Sequence, residues 1–232
     1  MKRVALLMLC YNRIEYTKMS LEQLWNNTPD SLYDLMIVDN PSSKDDARKY
    51  LIDVCKNKPD IKLVLNKENQ GLSPPTNRFW KENKGKYQFL GKVDNDTLVE
   101  KGWLEKFLEA MDKVPQLMLV AAIHFWNWQP NVELKEFNGI KLYLPSHMGG
   151  CCYIMRSNVI DTIGYLMEHD GKIFGWTHYQ NQMRKKGMLI AYHSDIHVEL
   201  LGGETHSPKS LDNTPKYQDY NREIYEMRRK HS

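Results

Sequence analysis

The chain has 232 residues, 41% of them hydrophobic and 26% charged, the mix of a soluble globular protein long enough for one sizeable core. Lys and Arg exceed Asp and Glu by 32 − 29 = 3, so net charge does not mark a nucleic-acid binder. No run approaches the roughly 18 unbroken apolar residues of a membrane-spanning helix. Cys10, Cys55 and the adjacent Cys151-Cys152 have neither a zinc spacing nor that of a disulfide framework, which implies reduced thiols in a cytoplasmic protein.

Val4–Cys10 is a near-continuous apolar run that leads into Tyr11-Asn12-Arg13. It is too short for a membrane span, is followed by no small-residue cleavage site, and reads as a parallel strand covered on both faces. Residues 14–25 carry Ile14, Met19, Leu21, Leu24 and Trp25 at helical spacing, with a turn at 26–30. Tyr33–Asp39 predicts a second strand, and 44–56 a helix with Ser42 or Ser43 as its N-cap. A strand at 61–65, a helix at 75–83 and a strand at 87–93 follow, the last running into Asp94-Asn95-Asp96. This alternation reads as an α/β fold with right-handed crossovers and a parallel sheet, whose ligands bind at the carboxyl ends of the strands.

The second half is less regular. Expected there are a helix at 102–111, a strand at Leu117–Ile123, and a hairpin over 133–144 turning at Asn138-Gly139. A strand at 151–155, helices at 157–164 and 179–186, the latter ended by Gly187, and a strand at 188–192 come next. From Ser207 the chain is polar, and 217–230 reads either as a terminal helix or as a loose tail.

Three strand ends in the first half finish on polar groups that converge on one crevice: Tyr11-Asn12-Arg13, Asp39-Asn40-Pro41-Ser42 and Asp94-Asn95-Asp96. A carboxylate at the second of these can accept a hydrogen bond from a base imide or a ribose hydroxyl. Paired carboxylates two residues apart suit a hard divalent cation, Mn2+ or Mg2+, which takes oxygen ligands and keeps positions open for phosphate oxygens. A diphosphate leaving group gains most from such a cation.

In order and spacing, Leu9-Cys10-Tyr11-Asn12-Arg13, Val38-Asp39-Asn40, Asn69-Gln70-Gly71 with Asn77, Gly85-Lys86-Tyr87 and Val93-Asp94-Asn95-Asp96 resemble the family 2 glycosyltransferases of the GT-A fold. The resemblance continues at Gly149-Gly150, Arg156 and Phe174-Gly175-Trp176. It implies a Rossmann-like, mostly parallel sheet flanked by helices, with a smaller mixed acceptor-side region. One catalytic domain would span 1–206, its nucleotide-sugar half at 1–100 and its acceptor half at 101–206, with 207–232 as a polar tail. The implied reaction is metal-dependent transfer of a sugar from a nucleotide-sugar, UDP-sugar being the family's commonest, to a hydroxyl on a saccharide, glycolipid, protein or modified nucleic-acid base. Asp39 would contact the nucleobase, and the backbone from Leu9 to Tyr11 would cradle it. Asp94 would face ribose or metal, and Asp96 the metal and diphosphate. Arg13, Asn69, Gly71, Asn77 and Asn95 would shape the donor pocket, while Gly150 would let the backbone approach the sugar or acceptor.

One departure stands out. Inverting members place an acidic pair after the glycine equivalent to Gly175, where this chain reads Trp176-Thr177-His178-Tyr179-Gln180. Three accounts of acceptor activation stay open: His178 as base, Glu168 or Asp170 in its place, or a retaining reaction in which the departing phosphate takes the proton. A third metal ligand often comes from a late histidine, here His206, His197 or His193. The alternation His193, Asp195, His197, Glu199 would put four ligand types on one strand face. His206 ends Gly202-Gly203-Glu204-Thr205-His206, a loop that could close over the donor. Trp126-Asn127-Trp128 begins the acceptor region, its rings either stacking on a ligand or packing in the core. Two competing classes are a nucleotidyltransferase, whose glycine-rich phosphate loop is missing after the first strand, and a nucleotide-sugar-binding module without catalysis.

Overall fold

A computed structural model describes residues 2–42, 44, 46–58, 60–124, 132–168, 175–202 and 207–230, with 223–230 as backbone alone. Its first strand, β1 (Val4–Cys10), is buried at every position. Val4, Leu6, Met8 and Cys10 enter one core and Ala5, Leu7 and Leu9 the other, because a strand alternates its side chains between two covered faces. The chain continues through α1 (Ile14–Asn27), β2 (Tyr33–Asp39), α2 (Ala47–Lys56), β3 (Lys62–Leu65), α3 (Ser73–Asn83) and β4 (Phe89–Val93). Then come β5 (Thr97–Val99), α4 (Trp103–Lys113), β6 (Leu117–Ile123), β7 (Leu134–Phe137), β8 (Ile140–Tyr143), β9 (Cys152–Arg156) and α5 (Val159–Ile163). The last elements are α6 (Gly175–Lys185), β10 (Leu189–Leu200) and α7 (Pro215–Lys230).

Strand order is β3-β2-β1-β4-β9-β6-β10-β8-β7, with β5 paired to β10. The first four strands in that order are mutually parallel. In the second half β9 runs antiparallel between β4 and β6, while β6 and β10 are parallel. Leu21 and Leu24 of α1, Leu51 of α2 and Trp103, Phe107 and Met111 of α4 cover one face. Phe79 and Trp80 of α3, Ile160 of α5 and Tyr179 and Met183 of α6 cover the other. The β7–β8 hairpin turns through Asn138 and Gly139 at φ 50° and 80°, the positive pair a tight hairpin turn requires.

Several expectations change. Helix α2 begins at Ala47, and Ser42 is not its cap: the hydroxyl donates to Asp39 Oδ1 at 2.7 Å and accepts from Asn12 N at 2.8 Å. Ser43 lies outside the described residues. β5 was not foreseen, and β10 runs on to Leu200 because register shifts between Tyr192 and His197 let one strand serve β6, β8 and β5. Residues 215–230 form a helix that packs Tyr217 and Tyr220 onto Tyr16, Leu98 and Leu201, so this segment is not loose. Arg156 sits opposite Phe89, at the far end of β4 from Asp94. There it donates to Leu117 O at 2.8 Å and Met111 O at 2.5 Å, which joins α4 to β6 and keeps it away from the crevice. All four cysteines are free. No helix among the described residues is long and apolar enough to cross a membrane.

The sheet is tightest at Gly91 in β4. A Cβ there would lie 2.7 Å from Leu6 Cδ2, 2.8 Å from Tyr153 O and 2.9 Å from Ile154 Cγ2. Gly91→Ala should therefore lower unfolding free energy by about 1–3 kcal/mol through overpacking, read from urea denaturation. A midpoint equal to that of the unmutated protein would contradict this packing.

Candidate active site

From β1 the chain steps outward through β2 to β3, then returns to lay β4 on the other side of β1. The reversal opens a crevice between the carboxyl ends of β1 and β4, the position at which such sheets bind ligands. The loops after β1, β2 and β4 line it.

At the end of β4, Lys92 and Asp94 are two positions apart and so project to the same side. Lys92, only 8% exposed, pairs through Nζ with Asp94 Oδ1 and donates to Gly150 O at 3.2 Å. Asp94 N donates to Cys151 O at 2.8 Å, which ties the loop after β4 to the start of β9. Asp96 receives its cation from β1: Arg13 Nη1 lies 3.2 Å from Asp96 Oδ2, both side chains being largely buried. Burial, and then the neighbouring Asp94 charge, raises the Asp96 carboxyl to about 6, against the opposing pull of Arg13 and Lys92. Between the two acids, Asn95 Nδ2 donates to Thr17 Oγ1 at 2.9 Å and anchors the triplet to α1.

Arg13 reaches Asp96 because Asn12 and Arg13 both adopt left-handed backbone, φ 52° and 58°, which side chains other than glycine rarely do. Asn12 N on Ser42 Oγ and Thr17 N on Arg13 O, 3.0 Å, hold the kink. β10 returns overhead. Leu201 N donates to Asp96 O at 2.8 Å, and a Cβ on Gly202 would lie 2.6 Å from Asp96 Oδ2 and 2.7 Å from Arg13 Nη1. Any side chain at position 202 would have to displace that ion pair.

At the end of β2, Asp39 has no exposed surface. Its oxygens accept from Ser42 Oγ and, at 2.5 Å, from Arg48 Nε. Arg48 Nη2 continues to Asn66 O at 2.6 Å, Asn66 Nδ2 to Asn40 Oδ1 at 2.8 Å, and Asn40 Nδ2 to Gly71 O at 2.8 Å. Arg78 Nη2 donates to Asn66 Oδ1 at 3.0 Å, so α3 joins the same network.

Opposite these loops the backbone of 148–150 is clamped. Gln180, fully buried, accepts from Met148 N at 2.9 Å and donates to Met148 O at 2.8 Å. Tyr192 OH accepts from Gly149 N at 2.7 Å, and a Cβ on Gly149 would collide with His124 Cε1 at 2.2 Å. Trp176 lies beside Gly150, donates from Nε1 to Met148 O at 3.2 Å, and stacks on Tyr153 with centroids 4.4 Å apart.

The structure thus brings Arg13, Asp94, Asn95, Asp96 and Gly150 together, and sets Asp39 in a network beside them. Leu9 has its side chain in the core, leaving only its backbone for a ligand. Tyr11 follows β1 half-buried. Asn69 is exposed and accepts from Gly71 N at 2.9 Å, a local turn bond beside left-handed Gly71. Asn77 faces another way: it donates to Leu166 O and, at 2.6 Å, to Glu168 Oε1, and accepts from Leu166 N. It positions residues 166–168.

His178 is exposed and accepts from Gln182 Nε2 at 3.2 Å. Two residues on from Trp176 means about 200° around the helix, so the turn that aims Trp176 at Gly150 aims His178 away from it. His197 is also exposed and pairs opposite Ile123. It precedes Leu201, which bonds Asp96, by four residues, roughly 13 Å of extended strand, so the two are not brought together. The alternating ligand face does not form either. His193 is buried and accepts from Asp195 N at 3.1 Å, while Glu199 is bound by Ser207 Oγ and Lys209 Nζ. His206, Trp126, Asn127, Trp128 and Asp170 lie outside the described residues.

The sequence reading missed Lys92, Arg48, Gln180 and His124. For Lys92 a signal existed: a lysine inside the otherwise apolar stretch of β4, two residues before the acid it pairs with.

The sequence model of the family described as Glycosyl transferase family 2 matches residues 5–184. No curated protein sequence matches the chain. Among solved structures, the mannosyltransferase PcManGT from Pyrobaculum calidifontis, in complex with GDP-Man and Mn2+, superposes with a TM-score of 0.69 at 14% identity, over 87% of this chain and 58% of that one. S. aureus TarS gives 0.68 at 18% identity over 96% and 39%. TarS 1-349 in complex with UDP-GlcNAc gives 0.66 at 17% over 97% and 66%. The chain therefore spans less than two thirds of each of these proteins, and at such identities the likeness is one of fold. The family match covers most of the chain and both strand ends that carry the acids, and on that ground the protein belongs to glycosyl transferase family 2.

Proposed function

We propose that this protein transfers a sugar from a nucleoside-diphosphate sugar, with a UDP-sugar as donor, to an acceptor hydroxyl, and that a divalent cation assists it at Asp94 and Asp96. The observation that carries this reading is the charge set in the crevice. Asp94 and Asp96 face Lys92 and Arg13, so the four side chains sum to zero before any ligand enters. A donor diphosphate adds about two negative charges, and one divalent cation offsets them.

The residues fit such a cation. Mg2+ and Mn2+ need one or two carboxylates and take the rest of their shell from phosphate oxygens and water. Among the described residues no cluster of three or more His, Cys, Asp and Glu forms, which leaves the two carboxylates and the substrate as ligands. When bound, the cation would neutralise charge on the departing diphosphate. PcManGT's complex with GDP-Man and Mn2+ and TarS's with UDP-GlcNAc support the same ligand classes here.

Each residue then has a task. Arg13 binds the diphosphate beside Asp96. Asp39 and its network receive the base and ribose at the end of β2. The clamped backbone of 148–150 and the Trp176 ring form the acceptor side, where a preset surface excludes water and orients the incoming hydroxyl. For the acceptor proton the reading favours Glu168 over His178: both side chains are exposed, but Asn77 holds the Glu168 carboxylate at 2.6 Å, whereas the helical turn that aims Trp176 at Gly150 aims His178 away.

Thermal-shift titration with UDP and GDP, each with and without Mn2+, tests the donor reading. Ligand at 100 times its dissociation constant should stabilise by about 2.7 kcal/mol. Absence of any shift with either diphosphate would sink it. Glu168→Gln should reduce kcat by about 100-fold or more with donor affinity retained, while His178→Gln should stay within a few-fold; the reverse pattern would return His178 to the mechanism.

A third outcome follows from the raised Asp96 carboxyl. An acid whose folded pKa exceeds its unfolded value destabilises the fold while ionised, and that cost disappears as pH falls through about 6. Between about pH 7 and about pH 5, the metal-free wild type should therefore gain stability relative to Asp96→Asn. A Tm difference that moves the opposite way would mean that Arg13 dominates the site.

A further inference from the structure

Helix α7 is fastened beside the donor crevice at three points, although the sequence reads as a polar tail there. Tyr217 OH and Lys216 Nζ donate to Glu15 at the start of α1, at 2.8 and 3.1 Å. Tyr16 accepts from Leu211 N at 2.6 Å, donates to Asp212 Oδ1 at 2.9 Å, and packs its ring 4.6 Å from that of Tyr217. Tyr220 OH donates to Lys44 O at 3.4 Å. Helix α7 therefore joins the first turn of α1 to the loop that follows β2, next to the loops against which a nucleotide would lie.

One contact of α7 reaches the charged centre. Asn221 Oδ1 accepts from Arg13 Nη2, while Nη1 of the same guanidinium holds Asp96. The Tyr16 ring lies 5.9 Å from the guanidinium carbon. Arg13 Nε is buried and has no hydrogen-bond partner among the described residues. A guanidinium has five N–H groups in a fixed plane. With one end on a carboxylate and the other on an amide oxygen, its orientation is set.

We infer that α7 is a wall of the donor site and that Asn221 is a positioning residue, holding the Arg13 guanidinium in the plane from which it binds the donor's diphosphate. The inference rests on the donor reading above and goes beyond it by assigning a role to the segment after residue 206. Its physical basis is pre-organisation. Arginine has rotamer entropy to lose on ordering, and the strained backbone at Asn12 and Arg13 alone does not fix the far end of the side chain. Asn221 fixes it before the ligand arrives.

A double-mutant cycle tests this, with the full chain and with UDP and GDP in the presence of Mn2+ as probes, read by calorimetry. Asn221→Ala should weaken diphosphate binding about tenfold, because the freed guanidinium must then be ordered on binding, and should lower the midpoint of thermal unfolding by only a few degrees while the chain stays folded. In an Arg13→Gln background the same substitution should have no further effect, because Asn221 acts through Arg13. Asn221→Ala binding within twofold of wild type overturns the inference, as does an equal loss in both backgrounds, which would mark a merely structural contact. A wild type that binds neither diphosphate overturns the donor reading and this inference with it; a wild type that binds while Asn221→Ala binds equally well overturns this inference alone.

Discussion

Two carboxylates two residues apart cannot be buried at a strand end without positive charge beside them, and the site is arranged around meeting that demand. Like charges at short range and loss of hydration both oppose ionisation, as the raised Asp96 carboxyl shows. The compensation comes from two directions. Lys92 reaches Asp94 along the same strand, and Arg13 reaches Asp96 from the loop after β1. The second contact requires two successive residues in left-handed backbone, which costs about 1 kcal/mol or more at each. Such strain persists because Ser42, Thr17, Gly202 and the terminal helix all hold the loop in place.

The antiparallel strand β9 makes this arrangement rigid. By pairing with β4 it sets Cys152 opposite Val93, and the residues just before it meet the residues just after β4. Cys151 O thereby accepts from Asp94 N and Gly150 O from Lys92 Nζ. The 148–150 backbone and the acidic loop thus share a lysine. Gln180 binds both backbone polar groups of Met148, and Tyr192 accepts from the Gly149 amide, so side chains hold this loop in place. A loop held in this way presents a fixed surface to whatever approaches from the second half of the chain.

Helix α6 illustrates how one turn of geometry decides chemistry. Trp176, Tyr179 and Gln180 face the sheet and the 148–150 loop, and this burial is what seats the helix. His178 falls on the remaining face as a consequence. Asn77 plays the complementary part from α3, with both ends of its amide bound to residues 166–168, so the Glu168 carboxylate is carried by a buried, fully bonded side chain.

Periodicity, turn residues and strand-end polarity in the sequence alone determined the parallel first half, the hairpin turning at Asn138-Gly139 and the convergence of Arg13 and the acidic triplet on one crevice. These are local consequences: an apolar run of a given period buries itself, and a polar residue at its end must emerge at the sheet's edge. Only the tertiary structure decided which charge answers which. Arg13 and Asn221 are 208 residues apart, Lys92 is hidden in a stretch that reads as apolar, and the register shift in β10 breaks the alternation that would have lined up His193 with His197. No local pattern encodes such pairings. They arise when distant strand ends are brought within hydrogen-bonding reach, where leaving a buried charge unpaired would cost more than the constraint that pairs it.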